Sequence, residues 1–142
     1  MSSTTSVSRR LEIDAGHRLM KHEGKCRVVH GHRYVFEVHV TAPELDPVGR
    51  VVDFGIIKAK VGGWLEREWD HALLLHKDDH LAPYLIAQGQ RVLLLYANPT
   101  AEVLASLVLN TARAMLTPLG LNVWRVVCHE TPNCSATVTW QE

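Results

Sequence analysis

His17, His30 and His32 flank Cys26 in the stretch H-R-L-M-K-H-E-G-K-C-R-V-V-H-G-H, residues 17–32. In an extended strand successive side chains point to opposite faces, so the glycine between His30 and His32 leaves both imidazoles on one side. Both rings can then reach one ion. If a strand pair brings His17 alongside, three nitrogens converge, the ligand count of a catalytic zinc site that keeps its fourth position for water or substrate. The chain holds nine histidines, and an isolated one is more often a solvated or hydrogen-bonded side chain than a ligand. What sets His30 and His32 apart is their company. Cys26 stands four positions earlier, glycines occupy positions 24 and 31, and a β-branched and aromatic run from Tyr34 to Thr41 follows directly.

The elements that must hold these residues can be read along the chain. Leu11 and Ile13 alternate with polar neighbours from Arg10 to Asp14, a short strand that delivers His17 at its end. Residues 18–29 are polar and punctuated by glycine, hence a loop. In the strand from Tyr34 to Thr41, Tyr34, Phe36, Val38 and Val40 share one face, with Val35, Glu37, His39 and Thr41 on the other. Asp53 is placed as a helix N-cap, and Phe54, Ile57, Val61, Trp64 and Leu65 then repeat at helical spacing. The adjacent Gly62 and Gly63 weaken that helix and point to close packing against a sheet. Asp70-His71 follows its end. Residues 76–90 are polar with a short helix after Asp79, and Arg91 to Tyr96 is extended. Asn98-Pro99-Thr100 signals a helix start, with Asn98 or Thr100 as cap and Glu102 in a first turn that favours a carboxylate. Val103, Leu104, Leu107, Val108 and Met115 line one side of that helix. Strands from Val123 to Glu130 and through Ala136, Val138 and Trp140 close the chain. Paired strands bracketing two helices indicate an α+β fold, a four-stranded antiparallel sheet covered on one face.

With 142 residues the length fits a single domain, 1–142, with residues 1–8 a loose tail. Fifteen basic and fifteen acidic residues cancel, at an isoelectric point near 7.1. No bulk field therefore favours nucleic acid or an anionic membrane, and an anionic substrate must be met by local charges. No apolar run approaches the roughly 18 residues of a membrane span, and the Ser/Thr-rich start lacks the apolar core of a secretion signal. Three cysteines without such a signal imply reduced thiols in the cytoplasm. Cys128 is expected to be a buried small hydrophobe and Cys134 a bland turn residue. Cys26, between Lys25 and Arg27, is the one whose surroundings favour a thiolate.

Six segments together resemble the 6-pyruvoyl-tetrahydropterin synthase / 6-carboxy-tetrahydropterin synthase family. They are D-A-G-H-R-L at 14–19, G-K-C-R-V-V-H-G-H-R-Y at 24–34, V-V-D-F at 51–54, D-H at 70–71, N-P-T-A-E at 98–102 and E-T-P at 130–132, in the family's order across nearly the whole chain. The resemblance implies the tunnelling fold (T-fold), with subunits closing into a barrel as trimers that pair into hexamers. It also implies that His17, His30 and His32 hold zinc and that Cys26 is the general base. Asp70 and His71 would be a proton-handling pair reaching across a subunit boundary. Glu130 would anchor a pterin ring through the two hydrogen bonds a carboxylate can accept, with Thr100 and Glu102 at the pocket edge. The spacing C-x-x-x-H-G-H is similar to the 6-carboxy branch, which acts on dihydroneopterin triphosphate on the way to queuosine; the animal 6-pyruvoyl branch sets its cysteine two residues further from the histidines.

Three departures accompany the likeness. Gly16 stands where the family usually has alanine, the family's asparagine after Asp-His is absent from Ala72-Leu73-Leu74-Leu75, and the 76–97 stretch is longer than in the shortest members. A cupin barrel is the rival reading of the motif, because Gly24, His30, His32 and Glu37 fit G-x5-H-x-H-x4-E, but two amphipathic helices leave too little chain for a jelly roll. A non-catalytic metal-binding protein is the other.

Overall fold

The computed structural model describes residues 3–142. Its centre is a long antiparallel pair, β1 (Ser6–His17) with β2 (His30–Thr41), continued by β5 (Asn122–Thr131) and β6 (Cys134–Thr139). Two short strands, β3 (Leu73–His76) and β4 (Val92–Leu95), extend the sheet on the other side, giving the order β4-β3-β1-β2-β5-β6. The sheet is therefore six-stranded and mixed where the sequence indicated four antiparallel strands. The added pair is parallel, β3 to β1 at Gly16 and His17 and β4 to β3 throughout. It is joined by the helix α3 (Leu81–Ala87), the crossover that parallel neighbours require. Of the tail expected over 1–8, Ser6 to Ser8 belong to β1, while Met1 and Ser2 lie outside the described residues.

Alternation fixes which face is covered. Leu11, Ile13 and Ala15 of β1, Tyr34, Phe36, Val38 and Val40 of β2, and Val126 and Cys128 of β5 are all buried. Against them lies α4 (Ala101–Leu116), whose Leu104, Ala105, Val108, Leu109, Ala112 and Leu116 are buried as well. The other helical segment is broken. It runs as α1 (Phe54–Ile57), a π-helical stretch (Lys58–Gly62) and α2 (Gly63–Glu68). Ile57, Val61 and Leu65 are fully buried, whereas Phe54, expected on that stripe, is 48% exposed. Phe54 is the first residue after the Asp53 cap, three positions before Ile57, and stands at the exposed end of the stripe. A Cβ on Gly62 would come within 3.1 Å of the Leu11 side chain, so the expected close approach of this helix to the sheet is real.

Candidate metal centre

The core face of the β1–β2 pair ends in histidine. His17 lies opposite His30, and Ala15 opposite His32, so the alternation that buries Ile13 and Tyr34 carries His17, His30 and His32 to that face. Their ligand nitrogens all lie within 4.8 Å of one another, and among the described residues no other group of three His, Cys, Asp or Glu side chains gathers so closely.

Two backbone carbonyls set the tautomers. His17 Nδ1 lies 2.8 Å from the Pro99 carbonyl oxygen and His30 Nδ1 2.6 Å from that of Val28. A carbonyl only accepts, so each Nδ1 carries the proton and each neutral ring presents an Nε2 lone pair. The two Nε2 atoms stand 3.1 Å apart, close to the roughly 3.3 Å that two nitrogens adopt on a tetrahedral ion with Zn–N distances near 2.0 Å. His32 Nε2 is buried without any hydrogen-bond partner. An orphaned buried acceptor beside two converging lone pairs is what a metal ion satisfies. Desolvation holds His17 and His32 below the ordinary imidazole value, against the nearby Glu130 carboxylate. Neutral rings are the form a metal requires.

The other residues marked in the sequence sit on three further elements. Glu130 shares the face of Cys128 on β5, and its Oε1 lies 3.6 Å from His17 Nε2 and 3.8 Å from His32 Nε2. Cys26 sits half-buried on the short 3-10 turn Lys25–Arg27. Thr100 is the N-cap of α4, its Oγ1 accepting from the Val103 amide at 3.2 Å. Burial, then the Glu130 and Glu102 carboxylates, push the Cys128 thiol up to about 12, and Glu102 lies in the first turn of α4. Cys128 is fully buried, as its alternating strand indicated, and Cys134, expected in a turn, is exposed at the start of β6.

Asp70 and His71 are held elsewhere. They clasp the free edge of β1, the Asp14 amide donating to Asp70 Oδ1 at 2.9 Å and the His71 amide to the Asp14 carbonyl at 2.7 Å. Asp70 Oδ2 lies 2.9 Å from His71 Nδ1. Burial works against ionisation of Asp70, but the Asp14 amide, His71 and Arg33 outweigh it and hold the carboxyl below its ordinary value. The His71 side chain is 76% exposed. Among the described residues no hydrogen bond or ion pair joins either to the three histidines. Glu37 is also absent from the centre. It points to the opposite face of β2, where it pairs with His129 and, at 3.1 Å, with His39, so the cupin spacing is coincidental.

Sequence reasoning missed the Tyr34 hydroxyl, which is fully buried, lacks a partner and lies on a ring packed edge-on against His17 and His32. Burial, with help from Glu130, Cys128 and Cys26, pushes it well above the ordinary tyrosine value. The alternation that buries Phe36 could have flagged it. The Pro99 and Val28 carbonyls carry no sequence signal at all.

A model of the 6-pyruvoyl tetrahydropterin synthase family matches residues 6–141. The chain belongs to that family. It is 42% identical over 130 residues to a Rickettsia bellii protein named 6-carboxy-5,6,7,8-tetrahydropterin synthase, covering 89% of this chain and 94% of that one. A Halobacterium salinarum protein named as a probable 6-carboxy-5,6,7,8-tetrahydropterin synthase is 37% identical over 130 residues, covering 90% and 82%. Among solved structures, an uncharacterized protein from Wolinella succinogenes superposes with a TM-score of 0.88 at 24% identity, over 99% of this chain and 100% of that one. The 6-pyruvoyl tetrahydropterin synthase of Caenorhabditis elegans does so at 0.71 and 22%, over 98% and 97%. These likenesses establish the fold as the family's, with β3 and β4 as additions to the expected four strands. No helix among the described residues is long and apolar enough to cross a membrane.

Proposed function

We propose that this chain is a zinc-dependent 6-carboxy-5,6,7,8-tetrahydropterin synthase, a lyase that takes 7,8-dihydroneopterin triphosphate and water to 6-carboxy-5,6,7,8-tetrahydropterin, acetaldehyde and triphosphate. The observation that carries it is the convergence of His17, His30 and His32 in a chain 42% identical to a protein named for that activity. His17, His30 and His32 hold the ion, and zinc suits three neutral imidazoles. When bound it lowers the acidity barrier at the substrate's side-chain hydroxyls and the adjoining C–H bonds.

The chain's own groups do the rest. Cys26 takes a proton from the side-chain carbon as general base. Glu130 accepts two hydrogen bonds from the pterin ring and fixes its orientation, with Thr100 and Glu102 at the pocket edge. Asp70 and His71 serve the site of a neighbouring copy as a proton relay. Their exposure and their separation from the three histidines of their own chain support that role. The outer side of β1 before Gly16, which β3 leaves unpaired, and the edge strand β6 favour closure into a ring, a trimer or a pair of trimers, since pairing removes open strand edges. The setting is cytoplasmic, in the supply of 7-deazapurines such as queuosine.

The test is incubation of the zinc-loaded protein with dihydroneopterin triphosphate and mass analysis of the products. Carboxy pterin and acetaldehyde in equal amounts bear the proposal out. A 6-pyruvoyl product without acetaldehyde moves the chain to the elimination branch, and turnover undiminished in Cys26→Ala removes the base.

A further inference from the structure

We infer that the Arg18–Asp79 ion pair, together with Asn98, is the device that positions Cys26 over the metal centre. This rests on the proposed role of Cys26 as base. Asp79 is 2% exposed and belongs to the inserted stretch, in the turn between β3 and α3. Both its oxygens receive the Arg18 guanidinium, Oδ2 from Nε at 2.7 Å and Oδ1 from Nη2. Its Oδ1 also accepts the Leu81 amide at 2.9 Å, so the carboxylate is locked to the start of α3.

Arg18 directly follows His17. The next residue, Leu19, donates its amide to the Cys26 carbonyl at 2.8 Å. The one after, Met20, is clasped on both sides by the Asn98 side chain, its amide donating to Oδ1 at 3.0 Å and its carbonyl accepting from Nδ2 at 2.9 Å. Three consecutive residues are thus tied to the insertion, to the Cys26 turn and to the entry of α4. Other hydrogen bonds within residues 21–28 are local, from the Gly24 amide to His22, from the Arg27 amide to Gly24 and from the Val28 amide to Lys25. On its C-terminal side the cysteine turn is held to β2 by His30 Nδ1 on the Val28 carbonyl; on its N-terminal side Leu19 is the backbone tether, held from either side by Arg18 and Met20. Asp79 and Asn98 touch no reacting atom; they are positioning residues. The longer 76–97 stretch thereby gains a use, since it supplies the buried anion that fixes the strap.

A bidentate guanidinium–carboxylate pair fixes direction as well as distance, and a base displaced by about 1 Å can lose about 100-fold in rate. The test compares the zinc-loaded wild type with Asp79→Asn, which retains a side chain able to cap α3. The readouts are kcat, KM, bound zinc and the rate at which iodoacetamide alkylates Cys26, mapped by mass spectrometry with exposed Cys134 as internal reference. We expect kcat to fall about 10- to 100-fold with KM and zinc content unchanged, and the Cys26-to-Cys134 alkylation ratio to rise severalfold as the half-buried thiol is released. A variant with both kcat and the ratio at wild-type levels overturns the inference. Should Asp79→Asn not fold, Arg18→Lys decides, because it keeps the charge and removes the fork. Failure of the underlying reading looks different. Cys26→Ala would then retain turnover, while the alkylation ratio would still report whether the pair holds the thiol.

Discussion

The Nε2 atoms of His17 and His30 face each other at 3.1 Å while both Nδ1 atoms are spent on backbone carbonyls. Two lone pairs at that distance repel unless a cation lies between them, and His32 adds a third nitrogen that has no hydrogen-bond partner among the described residues. The pocket is built for a positive charge before any charged ligand group is considered.

The first prediction concerns acid. His17 and His32 sit below their ordinary value of 6.5 because burial disfavours the imidazolium. As pH falls through 6.5 the unfolded chain takes up these protons before the folded one does. Stability from the two rings is therefore complete above 6.5 and is lost progressively below it. Melting temperatures of metal-free protein should fall between pH 7.5 and pH 5.5, with a shallower fall in His32→Gln, and bound metal should be released over the same acidic range because its ligands must be neutral. Equal melting temperatures at the two pH values would contradict this.

The second concerns Gly16, where β1 meets β3. A Cβ there would come within 3.0 Å of Leu73 Cδ1 and 3.3 Å of the His30 carbonyl oxygen. Leu73 belongs to β3, so the added strand itself fills the space an alanine would need. Gly16→Ala should cost about 1–3 kcal/mol as an overpacked contact, lowering the melting temperature by several degrees. Leu73→Ala in the same chain should recover part of that loss, because the two sites touch and their effects are not additive. A double mutant showing simple additivity would place the strain at the carbonyl instead.

The third concerns the Tyr34 hydroxyl. A buried donor without a partner carries its desolvation penalty uncompensated, about 1–3 kcal/mol. Tyr34→Phe should therefore leave the metal-free protein as stable as the wild type or more so, by up to about 1 kcal/mol. Chemical denaturation measures this directly, and a clear loss of stability would show that the hydroxyl has a partner.

How far this molecule was legible in its sequence follows from which groups carry signals. His30 and His32 were readable because a period of two is a property of strands, and the same period set Glu37 on the far face. The burial of Cys128 followed from equally local rules, and so did a cap at Asn98 or Thr100, of which the structure uses Thr100. β3 and β4 were not readable as a parallel pair, since four-residue apolar runs such as Leu73–His76 fit a strand or a buried helix turn alike. Phe54 fits the helical spacing yet lies in the first turn after the Asp53 cap and is exposed, which periodicity alone does not reveal. Asp79 was marked only as the residue before a short helix, for its ion pair is with Arg18, sixty-one residues away. The carbonyls of Val28 and Pro99 exist in every residue and acquire meaning only from the fold.

The last prediction concerns Glu130. Its Oε1 lies 3.6 Å from His17 Nε2 and 3.8 Å from His32 Nε2, at the end of β5. From there it can meet the flat edge of a pterin while the substrate's side chain reaches the ion. Glu130→Gln keeps the shape but replaces one accepting oxygen by a donor, which opposes the ring N–H groups it should receive. A hydrogen bond to a charged group is worth about 1.5–3 kcal/mol, so KM for dihydroneopterin triphosphate should rise about tenfold or more, with a smaller change in kcat. Zinc content at pH 7.5 should be unaltered, because the three imidazoles are untouched. Binding of the pterin product, followed by fluorescence, separates the two roles. A variant that binds pterin normally but loses zinc would make Glu130 a partner of the metal and leave the ring to be held by other residues.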